Sequence, residues 1–156
     1  MREHYLSSIN LIERLHRQFL EVVKAELDSL EIDDINNVQA LILSNIGTDT
    51  LTVGELTYRG YYLGSNVSYN VKKMVEAEYL IQEPSPHDKR ASRVRLSDKG
   101  LALSEKINAM YARHAEALVE EGADTEAFKD AITTMRELEA FWSSTLEEAG
   151  VDLIRF

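Results

Sequence analysis

Pro84-Ser85-Pro86-His87-Asp88-Lys89-Arg90-Ala91-Ser92-Arg93-Val94-Arg95-Leu96-Ser97-Asp98-Lys99-Gly100 is the stretch on which the fold turns. Pro84 to Arg90, two prolines around a serine and then a charged run, is turn chemistry. Arg93-Val94-Arg95-Leu96 alternates charged and apolar residues, the period of a strand with one buried face. Ser97-Asp98-Lys99-Gly100 then opens a long helical stretch. On the other side of the turn, Tyr79 to Glu83 has the length and content of a short strand. Two strands joined by a charged tip make a β-hairpin, and it stands next to whatever helix precedes Tyr79.

Working upstream, Val67, Val71, Met74 and Val75 fall on one face of a helix that begins at Ser65, with Asn66, Ser68, Tyr69, Lys72 and Lys73 on the other. Gly60 and Gly64 bracket a turn at Tyr61-Tyr62-Leu63. Thr52-Val53-Gly54-Glu55 has the spacing of a capping box, which places a short helix from Val53 to about Tyr58. A further helix, about Ile35 to Ile46, stops at Gly47, and either Asp33 or Asp34 can cap it. Three short helices with tight turns, followed by the hairpin, outline a winged helix-turn-helix. Outside it lie three long amphipathic stretches: Tyr5 to Leu30, Leu101 to about Glu121, and Thr125 to Ala149. The first is longer than any small core it could pack on within one chain, so a partner helix is expected. The fold class is therefore mainly α with a small β wing: residues 35–100 as the winged helix-turn-helix, and 1–34 with 101–156 as a helical dimerisation region.

Composition narrows the function. The 156 residues carry 27 acidic and 17 basic side chains, a formal net charge of −10. That balance speaks against indiscriminate nucleic-acid binding unless a basic patch is local. It is local: residues 52–100 hold eight basic and six acidic residues, a net +2, while the remainder holds nine basic and 21 acidic, a net −12. Gly60 to Val75 has no acid at all. Zero cysteines exclude disulfides, thiolate zinc sites, cysteine nucleophiles and thiol redox switches. With no apolar run near the ~20 residues that span a bilayer and no signal-peptide core at the N-terminus, a cytoplasmic protein without membrane contact is expected.

At Asp88-Lys89-Arg90 followed by Val94-Arg95-Leu96-Ser97-Asp98-Lys99-Gly100, the chain resembles the MarR family of winged-helix transcription regulators, whose wing has an Asp-x-Arg tip leading into a Leu-Ser/Thr-x-x-Gly helix start. Thr52-Val53-Gly54-Glu55-Leu56 is similar to the first helix of that family's reading head, and Ser65-Asn66-Val67-Ser68 to the start of its recognition helix. Gly54 to Asn66 is similar to a branch containing the regulators called LdtR and PetP. Two departures stand out. Glu78 occupies the place where the family usually has a Gly closing the recognition helix, so a left-handed cap there is either absent or strained. The lack of cysteine sets the chain apart from the family's peroxide sensors. The resemblance implies a homodimer that binds double-stranded DNA, often as a repressor relieved by a small ligand.

The expected DNA contacts follow from side-chain type. Ser65, Asn66, Ser68 and Tyr69 are short or polar groups at the start of the recognition helix, suited to base edges, with Lys72 and Lys73 behind them for phosphate. An ordinary solvated helix face has the same look. Arg90 at the wing tip suits a narrow minor groove, Lys89 and Arg93 suit phosphate, and Asp88 can pair with Arg90 to hold the tip; the plain alternative is a charged hairpin that discourages edge pairing. Arg95, inside the alternating strand, is expected to be structural. The aromatic set Tyr58, Tyr61, Tyr62, Phe19 and Trp142 suggests either core or a ligand pocket, with His16, Phe19 and Arg59 as the candidate effector contacts. Enzymatic readings fail. Glu13-x-x-His16 lacks the second copy a di-iron bundle needs, and His4, His87 and His114 have no zinc spacing. No cofactor is expected. The reading is a sequence-specific regulator on a pseudo-palindromic operator; the alternative is a winged-helix protein-interaction module that does not bind DNA.

Overall fold

The apolar stripe of the first thirty residues forms α1 (Arg2–Ser29), yet only Val23 and Leu27 along it are buried. A computed structural model of the chain describes residues 1–60 and 64–151, the side chains at 64 and 65 apart, so the turn at Tyr61-Tyr62-Leu63 lies outside the described residues. After α1 come α2 (Asn37–Ile46), β1 (Leu51–Thr52), α3 (Val53–Gly60), α4 (Gly64–Glu76), β2 (Leu80–Pro84), β3 (Ser92–Leu96), α5 (Asp98–Glu120) and α6 (Thr125–Glu148).

Local chemistry sets most of these boundaries. Thr52 Oγ1 accepts the Glu55 N–H at 3.0 Å and Glu55 Oε2 accepts the Thr52 N–H at 2.7 Å, the reciprocal box that starts α3. A second box starts α2, and it corrects the expectation that Asp33 or Asp34 caps this helix. Asn36 Oδ1 accepts the Gln39 N–H at 2.8 Å, while Gln39 Oε1 accepts the Asn36 N–H at 3.0 Å. Asp34 is engaged elsewhere, accepting the Tyr79 hydroxyl at 2.6 Å. Glu78 does take the left-handed conformation, with φ of 65°, and so does Glu31, with φ of 56°. At both, the next residue's N–H reaches back five positions: Tyr79 to the Met74 carbonyl at 2.9 Å, and Ile32 to the Leu27 carbonyl at 3.0 Å. The same wrap closes α5 and α6, where the left-handed residues are Gly122 and Gly150.

The sheet has three strands, not the two of a bare hairpin, in the order β1-β3-β2. Leu51 pairs with Val94 and Thr52 with Arg93, while β2 runs antiparallel from Leu80 opposite Leu96 to Pro84 opposite Ser92. Two residues are too few to show alternation, which is why β1 left no periodic signal. Val94 and Leu96 point into one hydrophobic cluster with Leu27, Ile42, Leu43, Leu56, Val67, Val71, Met74, Leu103, Ile107 and Met110. No residue of α6 is buried.

The sharp passage from β3 to α5 explains why Ser97 and Gly100 stand where they do. Ser97 Oγ donates to the Glu78 carbonyl at 2.6 Å and accepts the Gly100 N–H at 3.1 Å, capping α5 and holding the end of α4 together. A Cβ at Gly100 would stand 2.2 Å from the Tyr79 carbonyl oxygen, so only glycine lets α5 lie this close.

Candidate nucleic-acid interface

The apolar side of α4 (Val67, Val71, Met74) is buried, which turns Asn66, Ser68, Tyr69, Lys72 and Lys73 outward together. The backbone of Ser65 lies in the first turn of α4; its side chain lies outside the described residues. One part-buried contact ties the helix to α2, and a second steadies the side chain that makes it. Gln39, itself buried, donates through Nε2 to Asn70 Oδ1 at 3.2 Å, and Asn70 Nδ2 donates to the Asn66 carbonyl at 2.8 Å.

Beside α4 stands the wing, and between them runs a groove of about 560 Å³ lined by Thr52, Gly54, Ser68, Lys72, Gln82 and Arg90. Of the helix and wing residues named from sequence, Ser68, Lys72 and Arg90 line this concave surface. At the tip, Asp88 Oδ1 accepts the backbone N–H of Arg90 at 2.9 Å and the Asp88 carbonyl accepts the Ala91 N–H at 3.0 Å. Asp88 therefore closes the turn through the backbone, where a side-chain pair with Arg90 was expected, because an Asx turn satisfies the carboxylate with a fixed donor and leaves the guanidinium in solvent. On the flank, Gln82 Nε2 donates to Ser92 Oγ across the strands at 2.8 Å.

The cations divide into engaged and unengaged. Arg95 pairs with Glu83 at 3.1 Å, in keeping with a structural role. Lys73 pairs with Glu76 at 3.1 Å and lies 5.9 Å from the Tyr69 ring centroid, and the bond to Glu76 pushes its pKa up. Among the described residues, no ion pair holds Lys72, Lys89, Arg90 or Arg93, and Arg93 Nε is buried without a hydrogen-bond partner. A buried guanidinium nitrogen so placed is a donor in want of an acceptor.

The proposed effector contacts are dispersed. Phe19 stacks on Tyr111 with centroids 6.1 Å apart, and His16 is exposed one turn away on α1. Arg59 is bound to Asp49 Oδ2 at 2.7 Å and to the Asn45 carbonyl at 3.1 Å. Trp142 donates to the Tyr5 hydroxyl at 3.1 Å, near the start of α1. Tyr5 and Phe19 are 14 positions and so ~21 Å apart along the helix. The aromatic set is not one cluster: Tyr58 is exposed on α3, and Tyr61 and Tyr62 lie outside the described residues. An open apolar groove of about 640 Å³ does lie between α1 and α6, lined by Ile12, Met135, Leu138 and Trp142 among others, and it includes none of His16, Phe19 and Arg59. No group of three metal-ligating side chains occurs among the described residues, and none of the described helices is long and apolar enough to cross a membrane.

With this geometry in hand, comparison with known proteins is decisive. A MarR family model matches residues 33–91, which spans α2 to the wing tip. The exopolysaccharide II synthesis transcriptional activator ExpG of Rhizobium meliloti (strain 1021) is 36% identical over 140 residues, covering 90% of this chain and 72% of that protein. The chain belongs to the MarR family. It is a DNA-binding transcription regulator and not an enzyme. Solved MarR-family folds superpose along nearly its whole length. Streptococcus pneumoniae FabT in complex with DNA gives a TM-score of 0.73 at 15% identity, covering 90% of this chain and 99% of that one. Staphylococcus aureus MarR in complex with salicylate and kanamycin gives 0.72 at 20% identity, covering 90% and 93%. In MarR terms, α3 and α4 are the helix-turn-helix and β2–β3 the wing. The partners of Lys99 and Gln39 have no signal in the sequence. Both act across long sequence separations that no local pattern reveals.

Proposed function

We propose that this MarR-family regulator acts in the cytoplasm as a homodimer that reads a pseudo-palindromic operator, each protomer placing α4 in the major groove and its wing on the flanking backbone. Residues 35–100 are the reading head, and 1–34 with 101–156 the dimerisation region. The observation that carries the reading is the shared surface of α4 and wing, acid-free from Gly60 to Val75 and bearing cations that no ion pair holds among the described residues, in a chain of net charge −10. Ser65, Asn66, Ser68 and Tyr69 face base edges; Lys72, Lys89, Arg90 and Arg93 face phosphate and minor groove, with Lys73 a weaker member and Asp88 holding the tip.

Dimerisation is supported by what one chain leaves open. Leu11, Leu15, Phe128, Ile132, Met135 and Phe141 are all exposed, on α1 and α6, and large apolar side chains exposed together mark an interaction surface. A two-fold pair of heads predicts half-sites about one helical turn, ~34 Å, apart. A small organic ligand seated by α1 near Phe19 and Tyr111, beside the exposed His16, would change the spacing of the heads and so release the operator. The S. aureus MarR complex with salicylate supports that class of ligand. Occlusion of a promoter gives repression; an operator placed upstream of the polymerase gives activation, the activity named for ExpG.

The experiment is a fluorescence-anisotropy titration of the duplex upstream of the protein's own gene against a scrambled duplex, in a salt series. Selective binding that weakens steeply with salt is the expected result. Equal binding to both duplexes at every salt concentration, with no motif enriched from a random duplex library, overturns the reading.

A further inference from the structure

Three elements distant in sequence meet at one ammonium group. Lys99, in the first turn of α5, donates through Nζ to Asp34 Oδ2 at 2.6 Å and to the Ala77 carbonyl at 2.8 Å. Its Nζ also lies 4.2 Å from the centroid of the Tyr79 ring. Tyr79 in turn donates its hydroxyl to the other Asp34 oxygen at 2.6 Å. Asp34 belongs to the segment between α1 and α2, Ala77 is the residue just past α4, and Lys99 sits 65 positions from Asp34.

An isolated surface ion pair contributes little to stability and orders little. This one differs in kind. The ammonium caps the negative end of the recognition helix, where a cation is favoured by the backbone dipoles. It lies within the ~6 Å at which a cation is attracted to an aromatic face. It also bridges to a carboxylate that a second donor fixes. Burial raises the Asp34 pKa, but the hydrogen bonds from Lys99 and Tyr79 and the Lys99 charge outweigh it and hold the group below its ordinary value. The other end of α4 is where bases are read, 13 residues or ~20 Å away, and both Nζ partners of Lys99 are protein oxygens.

We propose that Lys99 is a positioning residue for operator reading: it fixes the tilt of α4 against the segment that joins α1 to α2, without itself contacting DNA. The inference rests on α4 being the reading helix. It explains why a lysine stands inside the Ser97-Asp98-Lys99-Gly100 turn: Ser97 holds the Glu78 carbonyl and Lys99 the Ala77 carbonyl, so two side chains of one α5 start clamp consecutive carbonyls at the end of α4. A shift of α1 relative to α5 is thereby passed to the recognition helix through Asp34.

The test compares the full-length protein with Lys99→Met, which keeps the stem against Tyr79 and removes the charge, and with Lys99→Arg, which keeps the charge. Each is taken through selection from one random duplex library. The duplex enriched by the wild type is then titrated in a salt series, and amide exchange is followed at Ala77, Glu78 and Tyr79. Lys99→Met is expected to lose roughly three- to tenfold in affinity for that duplex, with the slope of log affinity against log salt unchanged. Exchange at the three amides quickens while α6 is unaffected, and Lys99→Arg restores both. A slope lower by about one makes Lys99 a phosphate contact and overturns the proposal, as does a motif selected as sharply by Lys99→Met as by the wild type. A wild type that enriches no motif overturns the DNA reading itself, a result distinct from either.

Discussion

At Gly100 the backbone of α5 lies so close to Tyr79 that one methyl group has nowhere to go, since the opposing atom is a carbonyl oxygen and not the end of a flexible side chain. Gly100→Ala is expected to cost on the order of 2–4 kcal/mol, read from chemical unfolding, because two elements must separate. Glu78 is the opposite case. Its left-handed conformation costs roughly 1–2 kcal/mol that a glycine would not incur, and the greater freedom of an unfolded glycine returns about 0.4–1. Glu78→Gly should therefore stabilise by up to about 1.6 kcal/mol, raising Tm by no more than about 6 °C. Asp34 makes stability depend on acid. Its folded pKa lies below its ordinary value of 3.8, so its contribution is complete above that pH and is lost as pH falls through the lowered value. The gap in Tm between wild type and Asp34→Asn should be constant near neutrality and shrink below pH 3.8. A gap that widens in acid would contradict the assignment.

At the scale of elements, periodicity made the long helices, α4 and the hairpin legible, because each repeats its pattern over several turns or pairs. What escaped was short or non-local. β1 is two residues long, Asn36 outcompeted two nearby aspartates for the α2 cap, and Lys99 meets Asp34 only once the chain is folded. The outward face of α4 was legible residue by residue, whereas the state of each charge was not: Lys72 and Lys73 look alike in sequence and Glu76 lies within one turn of both, yet in the structure it pairs with Lys73. The two should separate in a salt series. Lys72→Ala is expected to lower the salt slope by about one, and Lys73→Ala by distinctly less, since Lys73 already has a counter-charge. Equal slopes for both variants would show that Glu76 lets go of Lys73 on DNA.

For the whole molecule, the uneven charge and the uneven burial have one explanation. The acidic helices are those that a second copy would cover on their apolar side, and in such a pair their charge would hold it away from random duplex while the small positive head engaged a matched one. Met135→Glu, on a residue already 51% exposed, should leave each protomer folded while sedimentation shows monomers, and operator affinity should fall at least about tenfold once one head binds alone. A variant that remains a dimer would remove Met135 from the interface. Thr52 adds a constraint of its own, since its backbone pairs with Arg93 in the sheet while its hydroxyl starts α3. Wing and α3 are thus welded through a residue common to both, so a displacement of β3 is passed to the start of α3. Any hinge that lets the protein grip or drop its operator must lie outside that weld, where α1 and α5 enter the head. Dyes at the wing tip and on α4 would keep one separation with and without DNA, while a dye pair spanning the two heads would change.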